Sequence, residues 1–131
     1  MPKRRILIVD DEVMLARMLK LNLEKQREYE VHVANSGASG LKAARELQPE
    51  LILLDLMMPD MDGTEVANRL ADDERTRDIR VVFLTALVEK AKVKAKGGML
   101  GGRAFIAKPA EVSEVIAAVE KQLSGPSAAK P

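Results

Sequence analysis

Four blocks of consecutive aliphatic residues punctuate the chain, at Ile6 to Val9, Leu51 to Leu54, Val81 to Leu84 and Ala104 to Ala107, each flanked by polar or glycine-containing sequence. Runs that are apolar on successive residues suit strands buried on both faces, as in a parallel sheet covered by helices. A fifth segment alternates instead. Tyr29, Val31 and Val33 stand against Glu30, His32 and Ala34, which predicts an edge strand with one wetter face. Between these blocks the spacing turns helical. Val112, Val115, Ile116, Val119 and Leu123 form one stripe at i, i+3, i+4, i+7 and i+11. Shorter stripes open after Asp11 (Leu15, Met18, Leu19), after Ser36 (Leu41, Ala44, Leu47) and after Gly63 (Val66, Leu70). Strand followed by helix, five times over, predicts a three-layer, doubly wound α/β sandwich, because right-handed crossovers place each helix on a face of a parallel sheet.

The stretch from Val88 to Gly102 fits this pattern least. Lys90, Lys92, Lys94 and Lys96 fall on every second residue, a spacing that scatters charge round a helix, and Gly97, Gly98, Gly101 and Gly102 follow. It is expected to be the most mobile element. Residues 1–123 are read as one domain and 124–131 as a flexible tail or truncated linker.

Composition narrows the classes. With 131 residues and 47% apolar side chains the chain is long enough for a single core and too apolar for disorder. The absence of cysteine excludes disulfides, thiolate metal sites and a cysteine nucleophile, and suits a reducing, cytoplasmic compartment. The longest aliphatic stretches, such as Val115 to Val119, fall far short of the ~20 residues of a membrane helix. No leader peptide and no membrane partner are expected, since Lys3, Arg4 and Arg5 lead into only four aliphatics before Asp10. The 21 basic and 20 acidic residues nearly cancel, yet they are unevenly placed: residues 50–65 hold five acids and no base, and residues 88–108 hold six bases and one acid.

In an open parallel sheet the working crevice lies beyond the carboxyl ends of the strands. Asp10 and Asp11 follow the first strand, Asp55 the third, Thr85 the fourth, and Lys108 with Pro109 the fifth. Three carboxylates, a hydroxyl and an ammonium thus converge on one edge. Carboxylates packed this closely repel one another unless a cation joins them. Hard oxygen donors favour Mg²⁺, and the absence of soft ligands disfavours zinc or copper. A carboxylate can also act as a nucleophile toward phosphorus while a metal ion and a lysine neutralise the transferring oxygens, with Thr85 donating a hydrogen bond to one of them.

These residues resemble the receiver domain of bacterial two-component response regulators, the chemotaxis regulators among them. The resemblance covers residues 4 to 123 and rests on four motifs in order: Ile8-Val9-Asp10-Asp11-Glu12, Asp55-Leu56-Met57-Met58-Pro59-Asp60-Met61-Asp62-Gly63, Thr85-Ala86 and Lys108-Pro109. It implies a flavodoxin-like parallel sheet of order 2-1-3-4-5. It implies further that Asp55 accepts a phosphoryl group from a sensor histidine kinase or phosphotransfer protein, and that Asp10, Asp11, Asp55 and the Met57 backbone carbonyl hold Mg²⁺. Lys108 would pair with the phosphoryl group across a cis bond to Pro109. Thr85 and Phe105 would form a switch pair whose movement alters the surface of the fourth helix, fifth strand and fifth helix, where a downstream protein docks. The resemblance implies a monomer or a phosphorylation-dependent dimer, and no enzyme beyond a phosphoacceptor that assists its own phosphorylation and dephosphorylation. Pro59 and Gly63, the latter through a positive φ, are expected to shape the loop carrying the Met57 carbonyl.

The chain departs from the family at a few positions. Met57 and Leu87, two residues after Asp55 and Thr85, are apolar where the family's water path runs, which predicts slow loss of the phosphoryl group. Ala110 stands where an aromatic is common and predicts looser packing at the start of the last helix. His32 has no second ligand nearby and is read as a strand residue, and the methionines as apolar filler. An aspartate-nucleophile phosphatase normally carries a second aspartate where Met57 stands. A pseudo-receiver, serving as a protein-interaction or dimerisation module without phosphate, is the surviving alternative. Nucleic acid is not expected as a partner of this domain alone, for want of stacking aromatics and of a reader motif. The Lys90 to Lys96 run remains open between a solvated face and a site for an acidic partner or nucleic acid.

Overall fold

The computed structural model describes residues 3–26, 28–100 and 102–124, so the tail predicted over 124–131 lies, but for Ser124, outside the described residues. Strands β1 (Arg4–Val9), β2 (Tyr29–Ala34), β3 (Leu51–Leu54), β4 (Arg80–Thr85), β5 (Met99–Leu100) and β6 (Arg103–Ala107) alternate with helices α1 (Val13–Glu24), α2 (Gly37–Leu47), α3 (Gly63–Asp72), α4 (Lys90–Ala95) and α5 (Val112–Leu123), except that β5 and β6 follow one another. The sheet order is β2-β1-β3-β4-β6-β5. All pairs are parallel but the last, in which Met99 and Leu100 run antiparallel to Arg103 and Ala104.

The two-sided burial predicted for the aliphatic blocks holds throughout Ile6 to Val9 and Leu51 to Leu54, while Val81 and Phe105 in the other two are half-buried. Ile6 and Ile8 of β1 pack with Ala16, Leu19 and Leu23 of α1 and Val115, Val119 and Leu123 of α5. Leu7 and Val9, pointing the other way, pack with Leu41 and Ala44 of α2 and Val66, Ala67 and Leu70 of α3. Each fully buried aliphatic is worth about 1.5–3 kcal/mol, so the three buried residues of α5 hold that helix more firmly than its propensity could. A single Val119→Asp would break its docking. β2 lies at the sheet edge, as its alternation predicted.

Two expectations need correction. The predicted stripe of α1 placed Met18 inward, but Met18 is 58% exposed, and the buried line runs through Ala16, Leu19 and Leu23. Met18 lies one residue, about 100°, from Leu19, which carries it off that line. The predicted fifth strand is β6, and a short sixth strand, β5, precedes it at the edge, so the order extends beyond 2-1-3-4-5. Glycine makes this possible: Gly97, Gly98 and Gly102 have φ of +62°, +84° and +79°, which end α4 and turn the chain into a hairpin on β6. Lysines on alternate residues leave α4 without an apolar stripe, and Val93 is its one buried residue.

Candidate functional site

Backbone hydrogen bonds extend the sheet just past its strands and thereby fix what stands at its carboxyl edge. The Asp10 N–H donates to the Ala34 carbonyl at 3.0 Å, the Asp55 N–H to Val9 at 3.0 Å and the Lys108 N–H to Thr85 at 2.9 Å. The result gathers the predicted residues. Asp10, Asp11 and Asp55 each offer a carboxylate oxygen, and these lie within 4.8 Å of one another. Lys108 Nζ lies 2.8 Å from Asp10 Oδ2 and 3.8 Å from Asp55 Oδ2. Asp10, Asp55 and Thr85 are buried. The Thr85 hydroxyl accepts from the Leu87 N–H at 3.1 Å, and the Lys108–Pro109 peptide is cis. Burial first, and the Asp10 charge second, push the Asp55 carboxyl above the ordinary aspartate range, against the pull of Lys108 and of the Met57 N–H. Burial works to lower the Lys108 pKa, but the hydrogen bond and charge of Asp10, with Glu12 and Asp55, outweigh it and hold it above the ordinary lysine range.

Three further residues support the site and were given no role in the sequence. Glu12 Oε1 lies 3.1 Å from Lys108 Nζ, and its N–H donates to Asp10 Oδ1 at 2.9 Å. Glu12 therefore starts α1 without capping it. The signal was present, in an acid directly after two others. Asn35 Nδ2 donates to the Asp10 carbonyl at 2.9 Å. Asp60 accepts from the Gly37 and Ala38 N–H groups, both at 3.0 Å, tying the loop after β3 to the start of α2. Those two bonds hold the Asp60 carboxyl below the usual range.

Gly63 corrects an expectation about that loop. It opens α3 and is not among the glycines of positive φ. What it supplies is space. A Cβ at Gly63 would lie on the Asp55 carbonyl oxygen and 2.7 Å from Leu56 Cα. Its N–H donates to the Leu56 carbonyl at 2.8 Å, so α3 begins in contact with the chain that carries Asp55.

Phe105, the predicted switch ring, is half-buried, 5.1 Å from the ring of Phe83 and inclined to it by 32°. Met57 and Leu87 are both exposed at the rim, at 63% and 61%. His32 Nε2 lies 2.7 Å from Glu30 Oε2 on the edge strand, away from the cluster.

Residues 6–120 match the family model for the response regulator receiver domain. The chain belongs to that family. This receiver domain is 43% identical over 119 residues to the "DNA-binding dual master transcriptional regulator RpaA" of Synechocystis sp., covering 91% of the chain and 48% of that protein. It is 38% identical over 118 residues to the "Transcriptional regulatory protein SrrA" of Staphylococcus aureus, covering 90% and 47%. Its fold matches the crystal structure of a putative response regulator from Chloroflexus aurantiacus with a TM-score of 0.79, 29% identity, and 95% and 100% coverage. The chain spans about half the length of the curated relatives it matches. Because RpaA is described as DNA-binding, the expectation against nucleic acid finds no support in these relatives. Among the described residues no helix is long and apolar enough to cross a membrane.

The acidic cluster of the receiver domain fits a hard divalent cation. Its donors are oxygens only, two of the three carboxylates are buried, and among the described residues Lys108 is the cation that offsets them closely.

Proposed function

We propose that this receiver domain is a phosphorylation-controlled switch that accepts a phosphoryl group on Asp55 from a sensor histidine kinase or phosphotransfer protein. The observation that carries the reading is the buried Asp55 carboxylate, with two carboxylates within 4.8 Å and the Lys108 ammonium at 3.8 Å. Asp10, Asp11, Asp55 and the Met57 carbonyl would hold Mg²⁺. When bound, the ion neutralises carboxylate repulsion and phosphoryl charge. As the P–N bond of the donor breaks, a P–O bond forms to Asp55. Lys108 releases Asp10 to pair with the phosphoryl oxygens, and its raised pKa keeps it cationic for that task. Thr85 exchanges the Leu87 N–H for a phosphoryl oxygen, to which its hydroxyl donates. Phe105 then moves inward beside Phe83, and the surface of α4, β6 and α5 changes for a downstream partner, either a target protein or a second copy. The chain is a phosphoacceptor and not a turnover enzyme, works in the cytoplasm, and serves the control of transcription, a reading supported by the names of its relatives.

The test is incubation with acetyl phosphate and Mg²⁺, followed by intact mass, for the wild type and Asp55→Ala. The wild type should gain one phosphoryl group and the variant none. No gain on a folded wild type would leave the pseudo-receiver as the better reading.

A further inference from the structure

The opposite edge of the sheet holds a cavity that the acidic crevice does not use. Arg80 and Arg103 open β4 and β6, whereas Thr85 and Ala107 close them, so this region lies roughly 15 Å along the strands from Asp55 at ~3.3 Å per residue. The cavity has a volume of about 570 Å³. Its apolar floor is built by Leu70, Ile79 and Phe83, and its rim carries Arg77, Arg80 and Arg103. None of its described lining residues is acidic. Among the described residues no carboxylate forms an ion pair within 4.0 Å of Arg77 or Arg103. Arg103 instead lies over the Phe83 ring, its guanidinium carbon 5.7 Å from the centroid, which sets a positive charge directly on the apolar floor.

We infer that this cavity binds a small organic anion, an apolar body bearing a carboxylate, sulfonate or phosphate. Volume decides for a small molecule, since hollows of roughly 300–1,000 Å³ enclose such ligands while protein partners need broad surfaces of about 800 Å² a side. Charge decides for an anion. Guanidinium groups present planar, paired donors that match carboxylate and phosphate oxygens. The floor decides for an apolar body, which inorganic phosphate lacks. The glycine-turned β5–β6 hairpin closes one side of the hollow through Met99, Gly102, Arg103 and Ala104. The site is independent of the chemistry proposed for Asp55.

The probe is 8-anilinonaphthalene-1-sulfonate, titrated into ¹⁵N-labelled chain. Saturable shifts are expected at the amides of Ile79 to Phe83 and of Arg103 and Ala104. Arg77→Gln with Arg103→Gln should weaken binding by about tenfold or more, one decade in affinity. Ala71→Trp, at an exposed lining position of α3, should block it by bulk. All three positions are exposed, so the variants should keep the wild-type spectrum. Shifts confined to other residues, unchanged affinity in either variant, or equal shifts from inorganic phosphate alone would overturn the inference.

Discussion

Lys108 Nζ lies 2.8 Å from Asp10 Oδ2, and both groups are withdrawn from water, with side-chain exposures of 11% and 1%. The lysine is the close counter-charge to a buried carboxylate that also repels Asp55. Removing one partner of such a pair strands the other, at a cost of about 3–5 kcal/mol. Lys108→Met should therefore lower stability by that order in urea denaturation without divalent ions. Millimolar Mg²⁺ should recover part of the loss, and should raise the wild-type melting temperature through binding linkage. A variant as stable as the wild type in the absence of Mg²⁺ would show that the carboxylates do not burden one another.

Gly63→Ala tests the packing at the start of α3. The added methyl meets backbone atoms of Asp55 and Leu56, which cannot swing aside as a flexible side chain would. Overpacking of this kind costs about 1–3 kcal/mol, and here it also pushes on the phosphoacceptor's own carbonyl. The expected result is a lower urea midpoint together with slower labelling by acetyl phosphate. Equal stability of the two proteins would mean that the loop yields freely.

Stability at low pH should depend on Asp60. Its carboxyl is held below the usual range by the Gly37 and then the Ala38 N–H groups. A depressed folded-state pKa gives stability that is fully present above the unfolded value, about 3.9, and is lost as pH falls through the folded value. Asp60→Asn should thus be less stable than the wild type at pH 7, and the gap should close in acid. Melting curves from pH 7 to pH 3 read the difference, and a gap that stays constant over that range would remove the carboxylate from the account.

The architecture and the acidic crevice were legible in the sequence because both rest on local signals. Buried strands wrote themselves as runs such as Leu51 to Leu54, and site residues stood directly at strand ends. Roles set by contacts between distant segments were less visible. Asp60 acts through the start of α2, 22 and 23 residues away in the chain. Gly63 read as a residue of permissive φ because the sequence does not reveal which backbone it touches. The β5–β6 hairpin escaped notice since two residues, Met99 and Leu100, are too few to carry a period.

Met57 and Leu87 bear on the lifetime of the phosphorylated form. Both are apolar and more than half exposed, and Leu87 is held near the site by the bond from its N–H to Thr85. Neither can orient an attacking water by a side-chain hydrogen bond. Decay of the phosphorylated form should be slow, lasting minutes or longer, and Met57→Asn should hasten it. Loss of the group within seconds in the wild type, followed by mass, would sink the idea.

Ala110 offers a test of the looser packing predicted beside the last helix. A cavity of about 350 Å³ is lined there by Leu15, Leu19, Leu84, Ala110 and Val115, next to Lys108 and Pro109. Ala110 is only partly buried against this cluster, so a larger apolar side chain can enter the void without displacing the helix. Cavity filling of this kind commonly adds about 0.5–2 kcal/mol. Ala110→Leu should raise the urea midpoint by that order, the added side chain filling the space between α1 and α5; Glu12 and Lys108 also line this gap, whereas Asp10 and Asp55 do not. A fall in stability would mean that the void is already closed by motion of its neighbours, since only an occupied space is overpacked by three added carbons.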